Sequence, residues 1–313
     1  LVAVDSSEHA VEMMRYAGKT IPKNGSHVVL FHVVASLPEA FHDFDKESEY
    51  NYRIINTEMW KSKQLEEVGR FMSRARQIFL DAGFTPDSIS VATPLRKVGI
   101  AQDVIEESQK GYDAVVVGRK GLSQLKDLVM GSIATRLVEK LADVPVWVVG
   151  GRSQRGKILV CLDRSEGSLQ AVDHVGHLLG NSSSDFRITL FHVLTGSEAS
   201  PFGFTEYLGN HELRWVEEIK KRIREDELAI ESAMGEARER LVKAGFEPRK
   251  IDLKVVRGGG KQAGAIAEEA QKGEYDTIVV GRRGLSRVQE FIMGRVSNKV
   301  INLAKDKTVW VVG

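Results

Sequence analysis

The 313-residue sequence carries the same ordered series of short motifs twice. LVAVDSSE from Leu1 matches ILVCLDRSE from Ile158, LFHV at Leu30 recurs at Leu190, and VWVVG stands at Val146 and again at Val309. Between them, AGF at Ala82 matches AGF at Ala244, and GYDAVVVGRKGLS matches GEYDTIVVGRRGLS. The matches keep their order at an offset of about 160 residues, the size of an ordinary domain. A repeat of that period fixes the organisation of the chain before any residue is read for chemistry. The expected division is 1–150 for the first domain, 151–155 (GRSQR) as a short linker, and 156–313 for the second.

Within each half, apolar β-rich runs alternate with helical patterns. The first half predicts strands at 1–4, 26–34, 88–95, 114–117 and 144–149, and the second at 157–162, 186–194, 249–256, 276–280 and 308–312. Helices are expected from Ser6 or Ser7, either of which can cap, to about Lys19, and over 57–82, 100–109 and 132–141. The long charged pattern over 212–244 is most simply a helix with a solvated face. Near-continuous apolar strands such as SHVVLFHVV are buried on both faces, so each half reads as an α/β domain: an open, mostly parallel five-stranded sheet with helices on both sides. Residues 35–56 read as a loop or short helix, either a lid over the site or surface decoration.

The stretch Ala114–Ile133 carries most of the chemistry. Val115–Val117 leads into Gly118-x2-Gly121-x9-Gly131-Ser132, where a new helix opens. Glycines let the backbone approach an anion closely, and the unpaired amides of a helix N-terminus point at it. The spacing recurs at Gly281, Gly284 and Gly294. Asp5 follows the first strand and Asp163 repeats it. Such an acid is either a cap or turn residue, or a carboxylate at the carboxyl edge of a parallel sheet, where ligands bind. His32 and His192 read as hydrogen-bonded core groups rather than bases, and no His, Cys or carboxylate cluster has metal-ligand spacing. The single cysteine, Cys161, lies in an apolar run, reads as core filler and suits a reducing compartment. RGGGK at Arg257 lacks the Walker spacing and reads as a flexible turn or a further phosphate contact, and no G-x-G-x-x-G follows either first strand. With 44 basic and 43 acidic residues, net charge +1, there is no field to favour nucleic acid or an anionic membrane, and no apolar run is long enough to span one. Leu1 already lies inside a strand pattern, so the natural N-terminus is expected upstream.

The glycine pattern, together with Asp5, LVAVDSSE and LFHV, resembles the ATP-binding universal stress protein family, and the resemblance covers essentially the whole chain as two domains in tandem. It implies Rossmann-like sheets of the adenine nucleotide alpha hydrolase type, with ATP in a crevice at the carboxyl ends of the strands. By that resemblance Val33 or Val34 would touch adenine, and Asp5 would lie near the ribose, the phosphates or a Mg²⁺. Gly118–Ser123, with Gly118, Arg119, Gly121 and Ser123, would wrap the phosphates, Gly131, Ser132 and Ile133 would supply amides and a hydroxyl, and Arg119, Lys120 and Lys126 would either add charge or stay solvated as loop cations. Asp163, Val193, Gly281, Arg282, Gly284, Ser286, Gly294, Val296 and Ser297 take the matching places in the second half. One departure is Arg295 where the family's Ser or Thr stands, with Ser297 as a substitute donor. The final strands are expected to pair with each other as an intrachain pseudo-dimer, with a further homodimer left open. The implied role is a cytoplasmic, ATP-dependent stress regulator read by a protein partner. A slow ATPase or nucleotidyl-transfer enzyme and a nucleotide-free scaffold are the alternatives. Neither a general base nor a nucleophile–His pair supports the enzyme.

Overall fold

The computed structural model describes residues 1–35, 47–121, 130–151, 156–180, 185–194, 210–257, 261–284 and 293–313. The chain divides into two compact units, Leu1–Leu137 and Val138–Gly313.

In the first unit, strands β1 (Val2–Ala3), β2 (Val28–Phe31), β3 (Ile89–Ala92) and β4 (Val115–Gly118) form one parallel sheet in the order β3-β2-β1-β4. Helix α1 (Glu8–Thr20) starts where the Ser7 side chain accepts from the Ala10 amide, and buries Met13, Met14 and Ala17. Helix α2 (Glu47–Asp81) begins well before residue 57, where the sequence pattern places its start. Residues 47–56 are therefore its first turns and not a loop; each added residue extends a formed helix at the gain of one hydrogen bond, and no Gly or Pro interrupts. Residues 36–46, the rest of the expected lid, lie outside the described residues. From Phe71 onward α2 buries Phe71, Met72, Ala75 and Phe79. It ends in a Schellman turn. Gly83 takes a φ of 98°, and the Phe84 amide reaches back to Phe79 O. Helix α3 (Ile100–Ser108) follows β3, and α4 (Ser132–Lys140) follows β4.

The second unit holds β5 (Val146–Val149), β6 (Lys157–Cys161), β7 (Arg187–Leu194), β8 (Ile251–Arg257), β9 (Thr277–Gly281) and β10 (Thr308–Val312) in the order β5-β10-β9-β6-β7-β8. All neighbours are parallel except β5 and β10, which pair antiparallel with Trp147 opposite Trp310. The helices are α5 (Glu166–Leu179), α6 (Asn210–Lys243), α7 (Gln262–Lys272) and α8 (Arg295–Leu303). Gly245 repeats the Schellman ending of Gly83, with the Phe246 amide on Leu241 O. The core is deepest around β5 and β10. Their tryptophans are fully buried and stacked 3.9 Å apart, and Trp147 Nε1 donates to His174 Nε2 at 3.2 Å. Among the described residues no helix is long and apolar enough to cross a membrane.

Candidate functional site

The same cradle forms in both units at the carboxyl ends of the strands. Ser7 caps α1, so Asp5 is not the cap. Instead its Oδ1 accepts from the Ser7 amide at 3.1 Å and the Ser7 hydroxyl at 2.5 Å. The other oxygen, Oδ2, lies over the glycine loop: a Cβ added at Gly121 would stand 2.5 Å from it. Asp163 repeats every part, with Oδ1 accepting from Ser165 N and Oγ and Oδ2 2.5 Å from a Cβ at Gly284. A side chain at 121 or 284 would force this carboxylate oxygen out of its place over the loop. Sequence reading missed the dual role of Ser7 and Ser165, although the Asp-x-Ser spacing in both halves is its signal.

Past the loop, the Gly131 amide donates to Arg119 O at 2.8 Å, and Gly294 does the same to Arg282 O. Those two amides close the loop and do not face a ligand, contrary to the expectation for Gly131. Thr135 N–H makes the first intrahelical bond of α4, to Gly131 O at 3.0 Å. The amides of Ser132, Ile133 and Ala134 therefore precede any intrahelical partner and sit at the positive end of the helix dipole. Ser132 is exposed beside them. The chemistry on offer is a donor-rich helix end and a carboxylate on either side of Gly121, which puts no side chain between them.

Other expected site residues are placed differently. Arg119 and Arg282 are each only 4% exposed, so neither reads as a loop cation reaching into solvent. The Arg282 guanidinium donates to Val138 O and Leu141 O at the C-terminal end of α4. Burial, assisted by neighbouring Arg283 and opposed by Asp143, draws its pKa down to about 10, so the cation persists at working pH. Ser297, the suggested substitute donor, gives its hydroxyl to Gly281 O at 2.7 Å. Val33, Val34 and Val193 are buried at the ends of their strands. Both backbone groups of Val34 are engaged, its amide to Pro94 O and its carbonyl to Arg96 N. Gly118 and Gly281 end β4 and β9, and Ile133 and Val296 are half-buried in the first turns of their helices. Lys120 is half-buried; Ser123, Lys126 and Ser286 lie outside the described residues. His32 Nδ1 donates to Val4 O at 2.9 Å and His192 Nδ1 to Leu162 O at 2.7 Å, tying each first strand to its neighbour as core groups. Burial, with the Asp163 charge nearby, pushes the Cys161 thiol above its ordinary range, so it stays protonated at neutral pH. Among the described residues no group of three or more His, Cys, Asp or Glu could hold a metal ion by itself.

Parallel α/β sheets of this order, each with the strand–loop–helix cradle, define the class as the Rossmann-like adenine nucleotide alpha hydrolase fold in tandem. The chain belongs to the universal stress protein family, whose model matches residues 1–150 and 154–313. A universal stress protein of Mycolicibacterium smegmatis is 26% identical over 312 residues, covering 97% of this chain and 93% of its own length. The Bacillus subtilis universal stress protein YxiE is 30% identical over 152 residues, 47% of this chain and 93% of its own. Among solved structures, a universal stress protein from Archaeoglobus fulgidus DSM 4304 aligns with a TM-score of 0.60 at 18% identity, over 99% of this chain and 97% of its own.

Proposed function

We propose that this chain is a nucleotide-dependent regulator of the stress response that holds ATP, with Mg²⁺, and whose occupancy a protein partner reads. The observation that carries the reading is Asp5 Oδ2 held over Gly121 opposite the N-terminus of α4. A triphosphate fits this donor set, because the Ser132, Ile133 and Ala134 amides and the Ser132 hydroxyl are donors without intrahelical partners. Asp5 fits a Mg²⁺ as its single protein carboxylate, since that ion takes one or two carboxylates and completes its shell with phosphate oxygens and water. The base would rest on the end of β2 at Val33, as the backbone of Val34 is already engaged. The metal would supply charge neutralisation for the phosphates; the chain's own residues orient and hold them. Pairing of β5 with β10, each the last strand of its repeat, supports an intrachain pseudo-dimer of the halves 1–150 and 156–313.

The test is the adenine-nucleotide content of freshly purified protein, released by denaturation and quantified per chain, followed by titration with ATP and Mg²⁺. Bound nucleotide that Asp5→Ala weakens at least tenfold supports the reading. Protein that carries none and shows no affinity for adenine nucleotides rejects it.

A further inference from the structure

We propose that only the first crevice takes nucleotide phosphate, and that Gly167, Arg295 and Ser297 shut the second. The inference rests on the reading of the glycine loop as a phosphate site and adds which of its two copies serves. Both loops carry the same glycines and the same carboxylate, so the difference lies in what packs against them. A Cβ at Gly281 would stand 2.6 Å from Gly167 C, 2.7 Å from Gly167 O and 2.9 Å from Ser168 N, all in the first turn of α5. Among the described residues a Cβ at Gly118 meets only Lys120 O, at 3.3 Å, and neither His9 nor Ala10 of α1 comes within 4 Å. The helix has closed on the loop in the second half and stands off it in the first.

Gly167 permits that approach, since a Cβ there would be 2.8 Å from Arg283 O; the first repeat has His9 at this place. Hydroxyls then hold the closed form. Ser297 Oγ donates to Gly281 O at 2.7 Å where the first repeat has Ala134, and Ser165 Oγ lies 3.3 Å from Arg283 O. Arg295 takes the helix-opening position of Ser132. The start of the second loop, Gly281–Gly284, is therefore packed against α5 and tied by Ser165 and Ser297, and the Ser297 hydroxyl is spent on a carbonyl; these contacts would have to give before a phosphate could enter.

The deciding experiment measures ATP per chain by equilibrium dialysis with Mg²⁺ for the wild type, Gly121→Ala and Gly284→Ala. The two variants place a Cβ at the same 2.5 Å from a carboxylate, and thermal melts of both report any difference in folding cost. One ATP per chain, lost in Gly121→Ala and kept in Gly284→Ala, is expected. Two per chain, or loss in Gly284→Ala instead, overturns the inference while leaving the function standing. No binding by wild type rejects the function itself. The gain-of-site variant Gly167→His/Arg295→Ser/Ser297→Ala should raise the stoichiometry to two; a folded variant that stays at one overturns the assignment of these residues.

Discussion

Asp5 has one oxygen tied to Ser7 and the other held over Gly121, and that division of labour is what a single residue contributes to the site. Ser7 is the pivot, because its hydroxyl both accepts from the Ala10 amide and donates to Asp5. Ser7→Ala should lose about 1 kcal/mol of stability, the usual cost of a missing N-cap. It should also weaken ATP binding several-fold by freeing the carboxylate to rotate, whereas Ser7→Thr should restore both in thermal melts and dialysis. Asp103 offers a second test, through pH. Burial pushes its carboxyl up, but the amides of Lys97, Val98 and Gly99 and the Lys97 charge outweigh this and hold it below the ordinary carboxylate range. Its folded pKa is depressed, so its contribution is fully present above the unfolded value near 4 and is lost as pH falls through the folded value. Asp103→Asn should therefore cost roughly 1–3 kcal/mol at pH 7, from amides left poorly paired, and much less at pH 3. Urea midpoints at the two pH values measure it, and equal losses at both would refute the assignment.

At the scale of elements, α4 is held at its C-terminal end by Arg282, whose guanidinium meets two carbonyls the helix cannot satisfy itself. Arg282→Ala should destabilise the protein by roughly 1–3 kcal/mol, and Arg282→Lys by less, read from urea unfolding. This residue also marks the limit of what sequence conveyed. The strands were legible because fully buried parallel strands leave apolar runs such as VVVG and TIVVG, and the ends of α2 and α6 because each helical pattern stops at a glycine, Gly83 or Gly245. The cradle was legible at Asp5, Gly121 and the start of α4 because glycine spacing reports where backbone must come close. Arg282 was not: a cation after a loop glycine has the same letters whether it faces solvent or a helix end 144 residues back in the chain. The Gly131 amide was misassigned for the same reason, since its partner Arg119 O is set by the folded loop. The early start of α2 escaped because its first turns are too polar and mixed to show a period.

At the scale of the molecule, duplication gives both halves the same last strand, VWVV at 146–149 and at 309–312. In the fold β5 lies in the second compact unit, buried along its whole length against β10, although its sequence closes the first repeat. Trp147→Ala removes one face of the stacked pair and leaves a cavity among fully buried groups, so a loss of about 3–5 kcal/mol is expected from calorimetry or urea unfolding. Cutting the chain tests the same interface differently. A fragment of residues 1–150 keeps β5 but lacks β10, exposing four apolar residues and an unpaired strand edge. Because the lost partner has the identical sequence and pairs antiparallel with tryptophan opposite tryptophan, a second copy of the fragment offers β5 the same register. The fragment should therefore sediment as a dimer at micromolar concentration, and Val148→Pro, which removes a ladder donor and clashes in the strand, should abolish the dimer. A folded, monomeric fragment in which Trp147, read in a Trp60→Phe background, is exposed to quencher would mean that β5 needs β10 for reasons its sequence does not supply.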